Sequence, residues 1–120
     1  MNVHKMTNIL HRAQDTYGYA NQVTVATEEL CELAAVLSKY PRYPDHQAAS
    51  EAIRGKVVEE IADVCVVLQH LYLIFNIEPD EIERAMDAKL ERLERWLNAS
   101  PDFYQTTVDR EVKPVEPQGV

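Results

Sequence analysis

Two six-residue segments, Glu28-Glu29-Leu30-Cys31-Glu32-Leu33 and Glu59-Glu60-Ile61-Ala62-Asp63-Val64, share one order of residue types: acid, acid, aliphatic, small, acid, aliphatic. Carboxylates at i and i+3 stand on one flank of a helix. If both segments are helical, the chain delivers two acid pairs. Four carboxylates gathered in a small volume cannot all stay ionised without a counter-charge. Hard oxygen ligands in that number select Mg²⁺ or Mn²⁺ over zinc. Such an ion leaves coordination positions for phosphate oxygens and an attacking water. The competing interpretation is a solvated face, because the chain has 20 acidic residues and helix surfaces carry many such pairs.

Helices must position these pairs. Helix formers dominate the sequence, only three glycines punctuate it, and no segment sustains the alternation of a strand. A first helix is expected over residues 4–17, with Met6, Ile9, Leu10 and Ala13 inward and Gly18 as its breaker. A second runs over 21–40 and stops before Pro41. Pro41-Arg42-Tyr43-Pro44 reads as a stiff connector, and Asp45 as the N-cap of the next helix. That third helix runs to about residue 75, with an interruption allowed at Gly55. A fourth starts at Pro79, with Asp80 and Glu83 as a capping box, and ends near residue 98. Residues 100–120 hold three of the six prolines and are expected to be an extended or disordered tail to a domain of residues 1–99.

At about 100° per residue, the acids fall into a matched pattern. With Ala26, Leu30, Leu33 and Leu37 as the seam of the second helix, Glu29 lies roughly 60° from its centre and Glu32 roughly 120°. With Val57, Ile61, Val64, Leu68 and Leu71 as the seam of the third, Glu60 and Asp63 take the same offsets. Glu28 and Glu59 point away. On the fourth helix the seam is Ile82, Met86, Leu90, Leu93 and Leu97. Lys89 and Arg92 lie at its margin as a cationic edge. The third helix is apolar nearly all round from Val64 to Phe75, which requires partners on both sides. A homodimer or homotetramer is therefore expected.

Composition narrows the partners. The net charge of −8 disfavours nucleic acid and anionic membranes. Two cysteines inside helices make no disulfide framework. The N-terminus lacks the apolar stretch of a signal peptide, and the longest apolar run contains Gln69 and His70 and is too short to span a bilayer. A cytoplasmic protein is the expectation.

Glu29-Leu30-Cys31-Glu32 and Glu60-Ile61-Ala62-Asp63, separated by a spacer of about 27 residues, resemble the double E-x-x-E and E-x-x-D motif of the MazG-like all-α nucleoside triphosphate pyrophosphohydrolases. The basic helix after Asn76-Ile77-Glu78-Pro79 supports the resemblance, which covers residues 22–95. It implies hydrolysis of the α–β phosphoanhydride of a nucleoside triphosphate to monophosphate and pyrophosphate. It further implies Glu29, Glu32, Glu60 and Asp63 as Mg²⁺ (or Mn²⁺) ligands and catalytic groups, with Lys89 and Arg92 on the phosphates. The sequence departs from the family at Val25, where a lysine is frequent, and at Cys31 and Ala62, where glycine is common. Val67 replaces a histidine usual in the phosphoribosyl-ATP branch.

Further residues are candidates with ordinary alternatives. Lys56, one turn before Glu60, and Lys39 could reach phosphate or simply pair with nearby acids. Asn21 and Gln22 could read a base edge, and glutamine is frequent in the family at the second position. Tyr17, Tyr19, Trp96, Phe103 and Tyr104 offer stacking surfaces or core packing. His70 could touch substrate or sit at a subunit interface.

The expected fold is all-α, a four-helix bundle subunit in a homo-oligomer. The expected function is Mg²⁺-dependent pyrophosphohydrolysis of a standard or modified NTP or dNTP. The alternatives are a dUTPase-like or phosphoribosyl-ATP pyrophosphohydrolase and, in another class, a non-catalytic acidic helical assembly protein.

Overall fold

The computed structural model describes residues 1–99; the expected tail, with Phe103 and Tyr104, lies outside the described residues. Four α-helices follow one another: α1 (Val3–Tyr17), α2 (Tyr19–Leu37), α3 (His46–Ile74) and α4 (Pro79–Ala99), with a 3₁₀ turn (Tyr40–Arg42) between α2 and α3. No strand occurs among the described residues. The described chain divides into two units, Met1–Ile77 and a second that begins at Glu78 and contains α4. No helix among the described residues is long and apolar enough to cross a membrane.

Local chemistry sets the ends of each helix in the first unit. The Asn2 side chain accepts from the backbone N–H groups of His4 (2.9 Å) and Lys5 (3.2 Å), satisfying two donors that have no partner in the first turn. Gly18, at φ 84° and ψ 159°, turns the chain between α1 and α2 in a conformation open essentially to glycine alone. Asn21 Nδ2 braces that corner by donating to the Tyr17 carbonyl at 2.7 Å.

α2 ends three residues earlier than expected. Lys39 N–H turns to the Val36 carbonyl at 3.1 Å, an i−3 bond that tightens the last turn, and Pro41 is taken into the 3₁₀ turn. Asp45 caps α3 as expected, accepting from Ala48 N–H at 2.8 Å. Gly55 does not interrupt α3. Its end is a Schellman motif, in which Asn76 adopts φ 53° and Ile77 N–H reaches back to the Tyr72 carbonyl at 2.8 Å.

The core of this unit is the seam between α2 and α3, with α1 added by Leu10. Ala26 and Val36 of α2 are buried, as are Ala49, Ile53, Val64 and Val67 of α3. Ile9 of α1, expected inward, is exposed. The α2–α3 seam also differs from the expected one. Leu30, Leu37, Ile61 and Leu68, assigned to it by hydrophobicity, are all exposed, and Glu60 is buried in their place. At about 100° per residue, both helices are rotated by roughly 50° from the expected orientation, in the same sense. α3 is apolar on two flanks, so hydrophobicity alone does not choose which flank turns inward.

α4 forms its own amphipathic helix. Pro79 occupies the first helical position, which makes Glu78 the cap and Glu81 the third residue. Glu81 Oε2 accepts from Glu78 N–H at 2.8 Å; this is the return half of a capping box, two residues before the expected Asp80–Glu83 pair. Asp80 instead pairs with Arg84 at 2.8 Å. No residue of α4 is buried, and Met86, Leu90 and Leu93 of its apolar stripe are exposed.

Candidate metal centre

The rotation of the α2–α3 seam places Glu29 and Glu60 on it rather than beside it. Glu60, 5% exposed, occupies the turn between Val57 and Val64. Glu29 holds the equivalent place between Ala26 and Leu33 and is half-buried. Glu32 and Asp63, three residues on, lie toward one flank of the hairpin and are exposed. One carboxylate oxygen from each of the four lies within 4.8 Å of the others. The two sequence pairs are thus brought together, and the partners that the repeat adds, Glu28 and Glu59, are exposed away from them.

The electrostatics of the cluster are those of a site short of positive charge. Glu29 has its carboxyl pKa raised above the ordinary 4.5, first by burial and then by the charges of Glu32 and Asp63, a hydrogen bond with Glu32 and the charge of Glu60. Oε2 of Glu29 and Oε2 of Glu60 are both buried with no hydrogen-bond partner. A buried carboxylate oxygen without a donor is costly. Lys56 supplies part of the counter-charge: its Nζ lies 3.3 Å from Glu60 Oε1 and 3.3 Å from Glu59 Oε2. These bonds raise the Lys56 pKa, Glu59 contributing first and Glu60 second.

The donor set fits a hard divalent cation. Four carboxylates are oxygen-only ligands, and two of them present orphaned oxygens that a cation would satisfy. Opposite oxygens around Mg²⁺ stand about 4.2 Å apart and around Ca²⁺ about 4.6–5.2 Å, so the 4.8 Å span of the cluster lies within the Ca²⁺ range and would have to contract for Mg²⁺. Small carboxylate rotations separate the two cases.

The other expected site residues divide. Asn21 and Gln22 line a groove between α1 and α2 together with Tyr17, Val25 and Glu28. Asn21 already spends an amide hydrogen on the Tyr17 carbonyl, so its clear role is to brace the corner. Lys56 belongs to the cluster's margin; Lys39 is exposed near the α2–α3 connector. Lys89 and Arg92 lie on α4 in the second unit, the first exposed and the second half-buried.

His70 is 5% exposed, and its Nε2 has no hydrogen-bond partner. Burial, and then the nearby His11, hold its pKa below the ordinary 6.5. The approach of His11 was not legible in the sequence, since the two histidines are 59 residues apart and share no ligand-like spacing. The hydrogen bond of Tyr40 Oη to His46 Nδ1, at 2.8 Å across the connector, was likewise unsignalled.

No family model, no curated protein and no solved structure matches the chain.

Proposed function

We propose that the protein is a divalent-cation-dependent nucleoside triphosphate pyrophosphohydrolase of the MazG-like type. The observation that carries this reading is the convergence of Glu29, Glu32, Glu60 and Asp63 within 4.8 Å, with two of their buried oxygens lacking donors. An acidic surface patch would leave all its oxygens to water. Here part of the set is sunk into a helix seam, and a buried carboxylate persists only if something else compensates it.

A bound Mg²⁺ or Mn²⁺ supplies neutralisation of phosphate charge and a lowered pKa for a water at the site. The chain's own residues do the rest. Glu29 and Glu60, fixed by the seam, hold the inner side of the site. Glu32 and Asp63, exposed, face the side from which substrate and water arrive. One carboxylate of the set orients the attacking water toward the α-phosphorus and takes its proton. Cations at the margin offset charge as the pyrophosphate leaves; Lys56 is placed for this, and the assignment of Lys89 and Arg92 rests on the sequence resemblance.

Assembly belongs to the same reading. Leu30 and Leu37 of α2, with Ile61, Leu68 and Phe75 of α3, are exposed on the flank roughly 60–100° from the buried seam. Exposed apolar surface of this kind marks an interface, and a second copy of the chain completes the bundle. The nucleobase and sugar are assigned to no residue beyond the weak candidates Gln22 and Asn21.

The test is incubation with Mg²⁺ and a panel of NTPs and dNTPs, followed by separation of the products. Monophosphate and pyrophosphate in equal amounts support the reading. Absence of turnover on every member of the panel, with Mg²⁺ or Mn²⁺, leaves the acidic assembly protein as the better description.

A further inference from the structure

We infer that Lys56 is a resident counter-cation of the carboxylate cluster, which yields Glu60 to an incoming divalent cation, stays tethered to Glu59, and then serves the phosphates of the substrate. The inference rests on the cluster being a cation site, and it adds to that reading an order of events and a role for the outer acid of the second motif.

Lys56 Nζ is shared between two carboxylates of opposite character, at 3.3 Å from each. The Glu60 side chain is 6% exposed and the Glu59 side chain 68% exposed. One partner is a member of the cluster, the other stands in solvent. The Lys56 side chain is itself 58% exposed, so its flexible stem can swing without disturbing the seam. In the metal-free protein the ammonium offsets part of the cost of burying Glu60. A divalent ion held by the same carboxylate, through the Oε2 that Lys56 leaves without a partner, repels it. Glu59 then keeps it at the rim rather than releasing it to solvent, next to where phosphate oxygens would meet the ion. The equivalent position of α2, 31 residues earlier, is Val25. This device is therefore built on α3 alone, and it gives Glu59 a function that Glu28 lacks.

An ordinary surface i,i+4 pair makes different predictions. Removing it changes little, whereas Lys56 should affect two ligands with opposite sign. A unit charge about 5 Å from a divalent ion in water-like surroundings opposes its binding by about tenfold. In Lys56→Met, which keeps the stem and loses the charge, Mn²⁺ should therefore bind the metal-free protein about tenfold more tightly. The Mn²⁺-loaded protein should bind inorganic pyrophosphate at least threefold more weakly. Lys56→Arg should restore the native Mn²⁺ affinity. Glu59→Gln should weaken Mn²⁺ binding in the native background by a few fold. In the Lys56→Met background its effect should shrink to that of the Glu59 charge alone, because the tether then has nothing to hold.

Calorimetric titration with Mn²⁺ at fixed ionic strength reads all four variants without requiring turnover. The Lys56 and Glu59 side chains are exposed, and thermal unfolding of each variant verifies its fold. Tighter Mn²⁺ binding with weaker pyrophosphate binding in Lys56→Met supports the inference. Unchanged or weaker Mn²⁺ binding in that variant, with native protein that does bind Mn²⁺, overturns it and leaves the metal centre standing. An equal effect of Glu59→Gln in both backgrounds overturns the tether, since it reports only the field of a nearby acid. Absence of Mn²⁺ binding to the native protein overturns both the inference and the reading beneath it.

Discussion

Replacing Glu60 by glutamine should stabilise the metal-free protein and at the same time abolish its stabilisation by metal. Glutamine has the same shape, so the seam between Val57 and Val64 stays packed. What changes is charge. Glu60 faces three carboxylates whose nearest oxygens lie within 4.8 Å and one ammonium at 3.3 Å. With an effective dielectric of about 40–80, suited to a cluster that is partly in solvent, the three repulsions exceed the one attraction by about 1–3 kcal/mol. Lys56 keeps Glu59 as a partner in the variant, so no cation is stranded. For a domain of this size, about 1 kcal/mol moves the midpoint by roughly 4–8 °C. The assay is thermal unfolding of native and variant protein at one protein concentration, first with chelator and then with excess Mn²⁺. In chelator the variant should melt at least about 4 °C higher. Added Mn²⁺ should raise the native midpoint through preferential binding to the folded state and leave the variant unmoved. A variant that melts lower in chelator, yet still gains from Mn²⁺, would rule out Glu60 as a repelled member of a cation site. Glu60 would then be an ordinary buried acid satisfied by its surroundings.

The same structure yields three further expectations. Gly18→Ala should cost about 1–3 kcal/mol, because the corner conformation admits few side-chain-bearing residues. Gly55→Ala, in mid-helix with nothing within 4 Å of the added methyl, should gain about 0.5–1 kcal/mol; chemical denaturation of both variants measures the contrast, and like signs would count against the assigned helix course. His70 titrates below its ordinary 6.5 in the folded chain, so the unfolded chain takes up its proton first as pH falls. Its contribution is intact above 6.5 and is lost as pH drops from there through the lower folded value. His70→Leu should flatten the fall in stability between neutral and mildly acidic pH, read by urea unfolding across that range. Glu29, whose folded pKa is raised, works in the opposite direction and is common to both proteins. Leu68→Lys, on the exposed flank of α3, should lower the molar mass seen by light scattering toward that of one chain, with helix content unchanged by circular dichroism.

The elements of the fold were largely written in the sequence, and the orientation of two of them was not. Asp45 as cap, Asn76 as helix stop and Pro79 as first helical residue follow from local backbone chemistry, and each stands where that chemistry puts it. The capping box on α4 missed by a fixed offset, because Pro79 makes Glu78 the cap and Glu81 its partner. The seam failed for a different reason. Leu30, Ile61 and Leu68 are more hydrophobic than Glu29 and Glu60, yet they are exposed and the acids face inward. Choosing between two apolar flanks of α3 needs the third dimension, and a flank reserved for another surface cannot be told from a core flank by residue type. The convergence of the four acids does not depend on that choice, because both helices turned together by about the same angle, preserving the match between the two pairs. The Lys56 bridge was half legible, since the i,i+4 relation to Glu60 is in the sequence. Its sharing between a buried and an exposed acid is not. The neighbourhood of His11 and His70 is purely tertiary.

In the proposed function, four carboxylates on one helical hairpin would hold a cation and the chain would cleave nucleoside triphosphates between the α and β phosphates. Product analysis in ¹⁸O-labelled water with Mg²⁺ and the best substrate of the nucleotide panel tests it most directly. Monophosphate and pyrophosphate should be the only products, with no reaction in chelator or in Glu60→Gln. Release of single phosphates, or turnover that persists in that variant, would contradict it.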